Sequence, residues 1–259
     1  MDMFRLDGKR ALITGGSKGI GLGIAQGFAD AGAEVVLVAR SHGELKDAAD
    51  IIAKAGHKAA ISAFDLADVE AIGGWYEDLV RQHGPVDILV NDAGIVEHGP
   101  AEEIPLSDFS RVLQVNVVAV LALSAAFARE RIQSKAPGKI INIASIAGIE
   151  VSPFPASPYP ASKGALIQLT KDLANEWAGK GILVNALAPG WIDTPMCEPM
   201  VNDPHFTAWL TKRVPLGRWG RPQDMVGPAL LLASAAGDFL TGSVLIADGG
   251  LLSTTGGPQ

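Results

Sequence analysis

The sequence predicts a doubly wound α/β fold: one seven-stranded parallel sheet with helices on both faces. Three observations point there. Seven short apolar runs punctuate the chain, most of them β-branched and not strictly alternating, as strands buried on both faces should be. Longer stretches with helical spacing separate them, and strand–helix–strand repetition gives a parallel sheet joined by right-handed crossovers. The composition, 259 residues with 48% hydrophobic and 19% charged side chains, suits a single unit over residues 1–259, with no repeat or linker dividing it.

The first run, residues 11–13, passes through a glycine-rich turn into a helical stretch at 20–31. Runs at 35–38 and 59–61 are followed by helical stretches at 43–55 and 69–82. After the fourth run, 86–90, comes the greasiest segment, 112–128, interrupted by Gln114, Asn116 and Ser124 and closed by Arg129-Glu130-Arg131. A membrane span needs about 20 cleaner residues, so this segment reads as a buried helix. The fifth run, 140–143, precedes a helix containing 166–177, and the sixth is 183–187. Residues 191–222, rich in Pro, Met and Trp, then break the rhythm before the last run at 244–246. Ligands bind at the carboxyl edge of such sheets, so this insertion reads as a substrate lid or, alternatively, as an ordered surface excursion.

Composition excludes several classes. A net charge of −7 leaves no basic stripe for nucleic acid. One cysteine, Cys197, precludes an internal disulfide and points to a reducing compartment. The opening residues, Met1-Asp2-Met3-Phe4-Arg5-Leu6, lack the apolar core of a signal peptide, so a soluble cytoplasmic protein is expected. His42, His57, His83, His98 and His205 show no ligand spacing, and no metal site is expected.

Thr14-Gly15-Gly16-Ser17-Lys18-Gly19-Ile20-Gly21 lies between the first strand and its helix. Gly15 permits the turn, Gly19 lets backbone approach a pyrophosphate, and Gly21 lets helix pack on strand. The helix N-terminus then offers free N–H groups to phosphate. A dinucleotide site is the reading at this position. An acid for the ribose hydroxyls normally ends the second strand; here Val38-Ala39-Arg40-Ser41 stands instead. Arg40, with Lys18 in the loop, suits a 2′-phosphate and favours NADP(H) over NAD(H). Asp65, ending the third strand before Leu66, either meets an adenine amino group or caps a helix.

Tyr159 and Lys163 are spaced i, i+4, on one helical face. Ser157 is a candidate cap, with Pro158 and Pro160 tolerated in the first turn. A cation close by can lower a phenol's pKa by about 1–3 units, making Tyr159 the candidate acid/base and Lys163 its tuner. Ser145 follows the fifth strand directly, at its carboxyl edge, as an oxyanion donor or a cap. Asn116, in an apolar helix, either kinks it and holds a water behind Lys163 or is a satisfied core amide.

Together the glycine-rich turn, Asn91-Asp92-Ala93-Gly94, Asn116, Ser145, Tyr159-x-x-x-Lys163 and Pro189-Gly190 closely resemble the short-chain dehydrogenases/reductases, in the right order from Leu6 to Gly250. The resemblance implies hydride transfer between NADP(H) and a small carbonyl or alcohol substrate, through an Asn116–Ser145–Tyr159–Lys163 tetrad. It agrees with the cofactor lining expected above at Gly15, Ser17, Lys18, Gly19, Ile20, Gly21, Arg40, Asp65 and Leu66. Asn91, Ala93, Gly94, Tyr159, Lys163, Pro189, Gly190, Ile192 and Thr194 would complete that lining. It also implies a homotetramer, for which the apolar run 117–127 suits a buried interface. The tail from Arg213 looks like the branch acting on gluconate and related sugar acids, making a sugar acid or polyol the expected substrate. Three departures stand out: Asp92 replaces the usual Asn, the Ser145–Tyr159 gap is slightly long and holds Pro153, Pro155 and Pro158, and Glu97-His98 replaces an arginine frequent in that branch. A 3-oxoacyl thioester reductase and a non-catalytic NADP(H)-binding protein are the alternatives. The second predicts a missing Tyr or Lys; a methyltransferase would need no Tyr-x-x-x-Lys and would want an acid after the second strand.

Overall fold

A computed structural model describes residues 2–254. Met1 and residues 255–259, which the expected unit of 1–259 includes, lie outside the described residues. Seven strands form one sheet: β1 Arg10–Thr14, β2 Glu34–Ala39, β3 Ala59–Ala63, β4 Ile88–Asn91, β5 Gly138–Ile143, β6 Ile182–Pro189 and β7 Val244–Ala247. Their order is β3-β2-β1-β4-β5-β6-β7, and every pairing is parallel. The chain winds outward from β1 in one direction and from β4 in the other. Thr14 therefore pairs with Val38 on one side and Asn91 on the other at the topological switch point, the crevice where ligands bind in this architecture.

Alternation along the strands divides the core between the two faces. Ala11, Ile13, Val35, Leu37, Ile88 and Val90 pack under α1 (Gly19–Asp30), α2 (His42–Lys54) and, further along, α9 (Val226–Ala233). Leu12, Val36, Val38, Leu89 and Ile140 pack on the opposite face under α3 (Ile72–His83), α5 (Ala119–Ser134) and α6 (Pro158–Trp177). Each buried aliphatic side chain contributes about 1.5–3 kcal/mol, so a one-residue slip that exchanged the faces would oppose most of this burial.

Two irregular features shape the carboxyl edge. α4 (Leu106–Leu113) runs into α5 through a π-helical turn, Gln114–Val118. The combined rod, Leu106–Ser134, is long and apolar enough by length and composition to cross a membrane, but half of its most apolar window is buried inside the fold. Between β6 and α9, the segment 191–222 carries α7 (Glu198–Val201) and α8 (Pro204–Arg213). It has a small core of its own: Leu210 and Val214 are buried with Ile146 and Leu251. Trp191, Phe206 and Trp219 pack around them, Trp191 lying 5.1 Å from Phe206 and 6.0 Å from Trp219 between ring centroids.

Candidate active site

The carboxyl ends of the strands open onto a cleft of about 680 Å³. Its floor at one end is the turn from β1 into α1. Gly15 and Gly19 take φ of +68° and +58°, which L side chains rarely adopt. A Cβ on Gly21 would stand 2.5 Å from the Gly15 carbonyl oxygen and 2.6 Å from Asp92 Oδ2, so helix and turn approach as closely as glycine allows. The first turn of α1 has no side-chain cap, leaving amides for an anion. Thr14 Oγ1 accepts from the amides of Asp92 and Ala93 at 3.1 and 3.2 Å and donates to Val90 O at 3.3 Å. That hydroxyl stitches the two halves of the sheet at the switch point.

Ser17, Lys18, Arg40, Ser41 and Glu44 line the outer end of the cleft. Asp65 and Leu66 line it beside them, and Asp65 Oδ1 accepts from Ala67 N at 3.0 Å. Asp65 thus closes a local turn; α3 starts later, with Ala71 at its N-cap position. Ala93, Gly94, Pro189, Gly190, Ile192 and Thr194 line the inner end with Ser145, Tyr159 and Lys163.

Ser145 leaves β5 in extended conformation, and its Oγ accepts from Ala147 N at 3.1 Å. It therefore caps a short turn and also reaches the Tyr159 hydroxyl. Tyr159 sits in the first turn of α6 with Pro158 at N1. Ser157 does not act as the cap: it is already helical and makes no capping bond. Lys163 is buried, with Nζ donating to Ile143 O at 2.7 Å and lying 5.5 Å from the Tyr159 ring centroid.

In this geometry Lys163 is not among the groups that lower the phenol. Burial pushes Tyr159 up to about 12, the Ser145 hydrogen bond pulls it down, and nearby Cys197 and Asp92 add to the rise. The ammonium is engaged by a carbonyl and lies over the ring. Burial draws Lys163 down, opposed by the Asp92 carboxylate. Asp92 is in turn raised by burial, opposed by Lys163 and by a hydrogen bond from the Gly21 amide. The result is a phenol that stays protonated at neutral pH.

Three expected site residues stand behind the cleft wall. Gly21 lies under the turn. Asn91 is buried and turned away, its Nδ2 donating to Asn142 Oδ1 at 2.8 Å and Ser124 Oγ at 3.2 Å, because the strand's alternation points it into the sheet's polar interior. Asn116 sits in the π-turn with Oδ1 accepting from Ile95 N at 2.9 Å. Its Nδ2 donates to Ile95 O at 2.9 Å and Ser162 Oγ at 3.0 Å. The helix does distort at Asn116, and the amide is fully satisfied by protein partners. Sequence reasoning missed Glu44, Arg111 and Met196 as lining residues. Only Glu44 carried a signal, its place three residues after Ser41 at a helix start, the spacing of an N-terminal cap. Among the described residues no cluster of His, Cys, Asp and Glu is suited to a metal.

The sequence profile of the family described as enoyl-(acyl carrier protein) reductase matches residues 15–252. Gluconate 5-dehydrogenase of Gluconobacter oxydans is 43% identical over 250 residues, covering 96% of this chain and 97% of that protein. The 5-keto-D-gluconate 5-reductase of Escherichia coli is 40% identical, covering 97% of this chain and 98% of that protein. Among solved structures, a gluconate 5-dehydrogenase from Burkholderia cenocepacia in complex with NADP and tartrate superposes with a TM-score of 0.93 at 40% identity, covering 98% of this chain and 99% of that one.

Proposed function

The chain belongs to the short-chain dehydrogenase/reductase family, and from that membership we propose an NADP(H)-dependent oxidoreductase acting on the carbonyl or secondary alcohol of a sugar acid or polyol. One observation carries the reading: Ser145, Tyr159 and Lys163 converge on the inner end of a cleft whose outer end bears Arg40 and Lys18. The uncapped turn of α1 would hold the pyrophosphate and Arg40 the 2′-phosphate, with Lys163 near the ribose. The dinucleotide supplies the hydride. The hydroxyls of Ser145 and Tyr159 hold the substrate oxygen, and Tyr159 gives its proton to the alkoxide as it forms. Asn116 is a positioning residue that ties Ile95 to the first turn of α6 through Ser162. Residues 191–222 would cover the substrate, and the whole chain would act as one unit in a cytoplasmic homotetramer. The NADP bound to the Burkholderia relative and the names of the Gluconobacter and Escherichia relatives support this reading.

The test is a substrate panel of keto-aldonates, aldonates, ketoses, cyclic ketones and acetoacetyl thioesters, followed by NADPH absorbance. Turnover of a keto-aldonate or aldonate is expected. Tyr159→Phe should lower kcat by about 10²–10⁴-fold, the usual worth of a positioned acid, with NADPH affinity retained. Turnover confined to acetoacetyl thioesters would replace the substrate class. Wild-type kcat in the phenylalanine variant would remove Tyr159 as the proton source.

A further inference from the structure

We propose that Glu44 holds down the cleft's preference for the phosphorylated dinucleotide, a role that rests on the dinucleotide reading above. Three groups stand where an adenosine 2′-substituent is expected: Arg40, Lys18 and Ser17. Arg40 is exposed and has no hydrogen-bond or ion-pair partner among the described residues. The other two are held by one carboxylate. Glu44 Oε1 accepts from Lys18 Nζ at 3.2 Å, and Oε2 accepts from Ser17 Oγ at 3.2 Å. The Glu44 amide donates to Ser41 Oγ at 3.2 Å, fixing it in the first turn of α2, where the positive end of the helix favours an anion. The acid missing from the end of β2 is thus restored four residues after Arg40, facing the same cleft.

The two dinucleotides meet this carboxylate differently. A 2′-phosphate finds Arg40 free but Lys18 and Ser17 engaged, and it binds by displacing Glu44 or by lying beside a like charge. A 2′-hydroxyl has a proton to donate, and Glu44 is an acceptor for it. Removing the charge while keeping the side chain's length should therefore help one ligand and not the other. The Lys18 and Glu44 side chains are 57% and 48% exposed, so the effect is screened and moderate.

The experiment is direct titration of NADPH and NADH by fluorescence, without turnover, on the full chain and on Glu44→Gln and Glu44→Ala. Glutamine suits the third position of a helix as glutamate does. In both variants the NADPH Kd should fall about threefold to tenfold, as loss of a screened like-charge contact would give. The NADH Kd should stay or rise, and the gain for NADPH should shrink at high salt. An unchanged or weakened NADPH affinity, equal shifts for both ligands, or a gain confined to glutamine overturns the role of Glu44 and leaves the dinucleotide reading standing. A wild-type chain that binds neither ligand takes down both.

Discussion

Tyr159 is subject to opposing influences, and their signs decide how the rate of each direction depends on pH. Burial raises the phenol, the Ser145 hydrogen bond lowers it, and the rise wins. Reduction needs the protonated phenol, so its rate should hold through neutral pH and fall only on the alkaline side. Oxidation needs the phenolate and should climb with pH. Ser145→Ala removes the hydrogen bond that lowers Tyr159, leaving burial unopposed and pushing the phenol higher still. The rising limb of the oxidation profile should then move to higher pH by roughly half to one unit, the worth of one hydrogen bond. Loss of the oxyanion donor should also lower kcat by about 10²–10³-fold. A pH–rate profile of kcat/KM separates the two effects. A purely structural loss would lower the amplitude and leave the limb in place, and a shift toward acid would contradict the assigned sign. Asp92 shows the same tension: a carboxylate raised by burial beneath the glycine turn and opposed by Lys163 and the Gly21 amide.

The segment 191–222 behaves, in its packing, as two parts. Its distal part is anchored: Trp219 Nε1 donates to Thr207 Oγ1 at 3.1 Å, and its ring lies 5.9 Å from Phe206 and 6.0 Å from Trp191. Its proximal part, Thr194 to Cys197, lines the cleft and is held by a single 3-10 turn. Trp219→Ala should free α8 from this anchor before the sheet loosens. Limited proteolysis should then cut within 198–213 about tenfold faster, equivalent to about 1.4 kcal/mol of local destabilisation. Simultaneous loss of the whole fold with no early cut would mean that the segment is not a separable cover. This anchor was not legible in the sequence, because Phe154, Trp191, Phe206 and Trp219 are brought together only by tertiary packing. The strands and the spacing of Ser145, Tyr159 and Lys163 were legible, since short β-branched apolar runs and i, i+4 placement are local. The inward direction of the Asn91 side chain was not legible because it depends on strand register, and the Asn116 distortion was legible only as an amide out of place in an apolar helix.

At the scale of the whole molecule, α5 has one face too many. Ala119, Val120, Leu123, Ser124, Ala126, Phe127 and Ala128 are buried within the chain. Val118, Leu121 and Ile132 nevertheless remain 46%, 41% and 38% exposed. With the half-buried Ala122 and Ala125, Val118 and Leu121 make an outward stripe at helical spacing, small enough at its alanines for another helix to approach closely. Contiguous exposed apolar surface of this kind marks an association site in soluble proteins, and in a symmetric oligomer the same patch meets its own copy. Leu121→Asp would bury a carboxylate in that contact without a partner, a penalty of several kcal/mol per ion repeated at each symmetry-related copy. The variant should therefore sediment at a lower mass than the wild-type chain at the same concentration, with the sheet's circular dichroism unchanged. A variant that keeps the wild-type mass would rule this stripe out as an association surface, with the fully exposed Phe239 as the next residue to substitute.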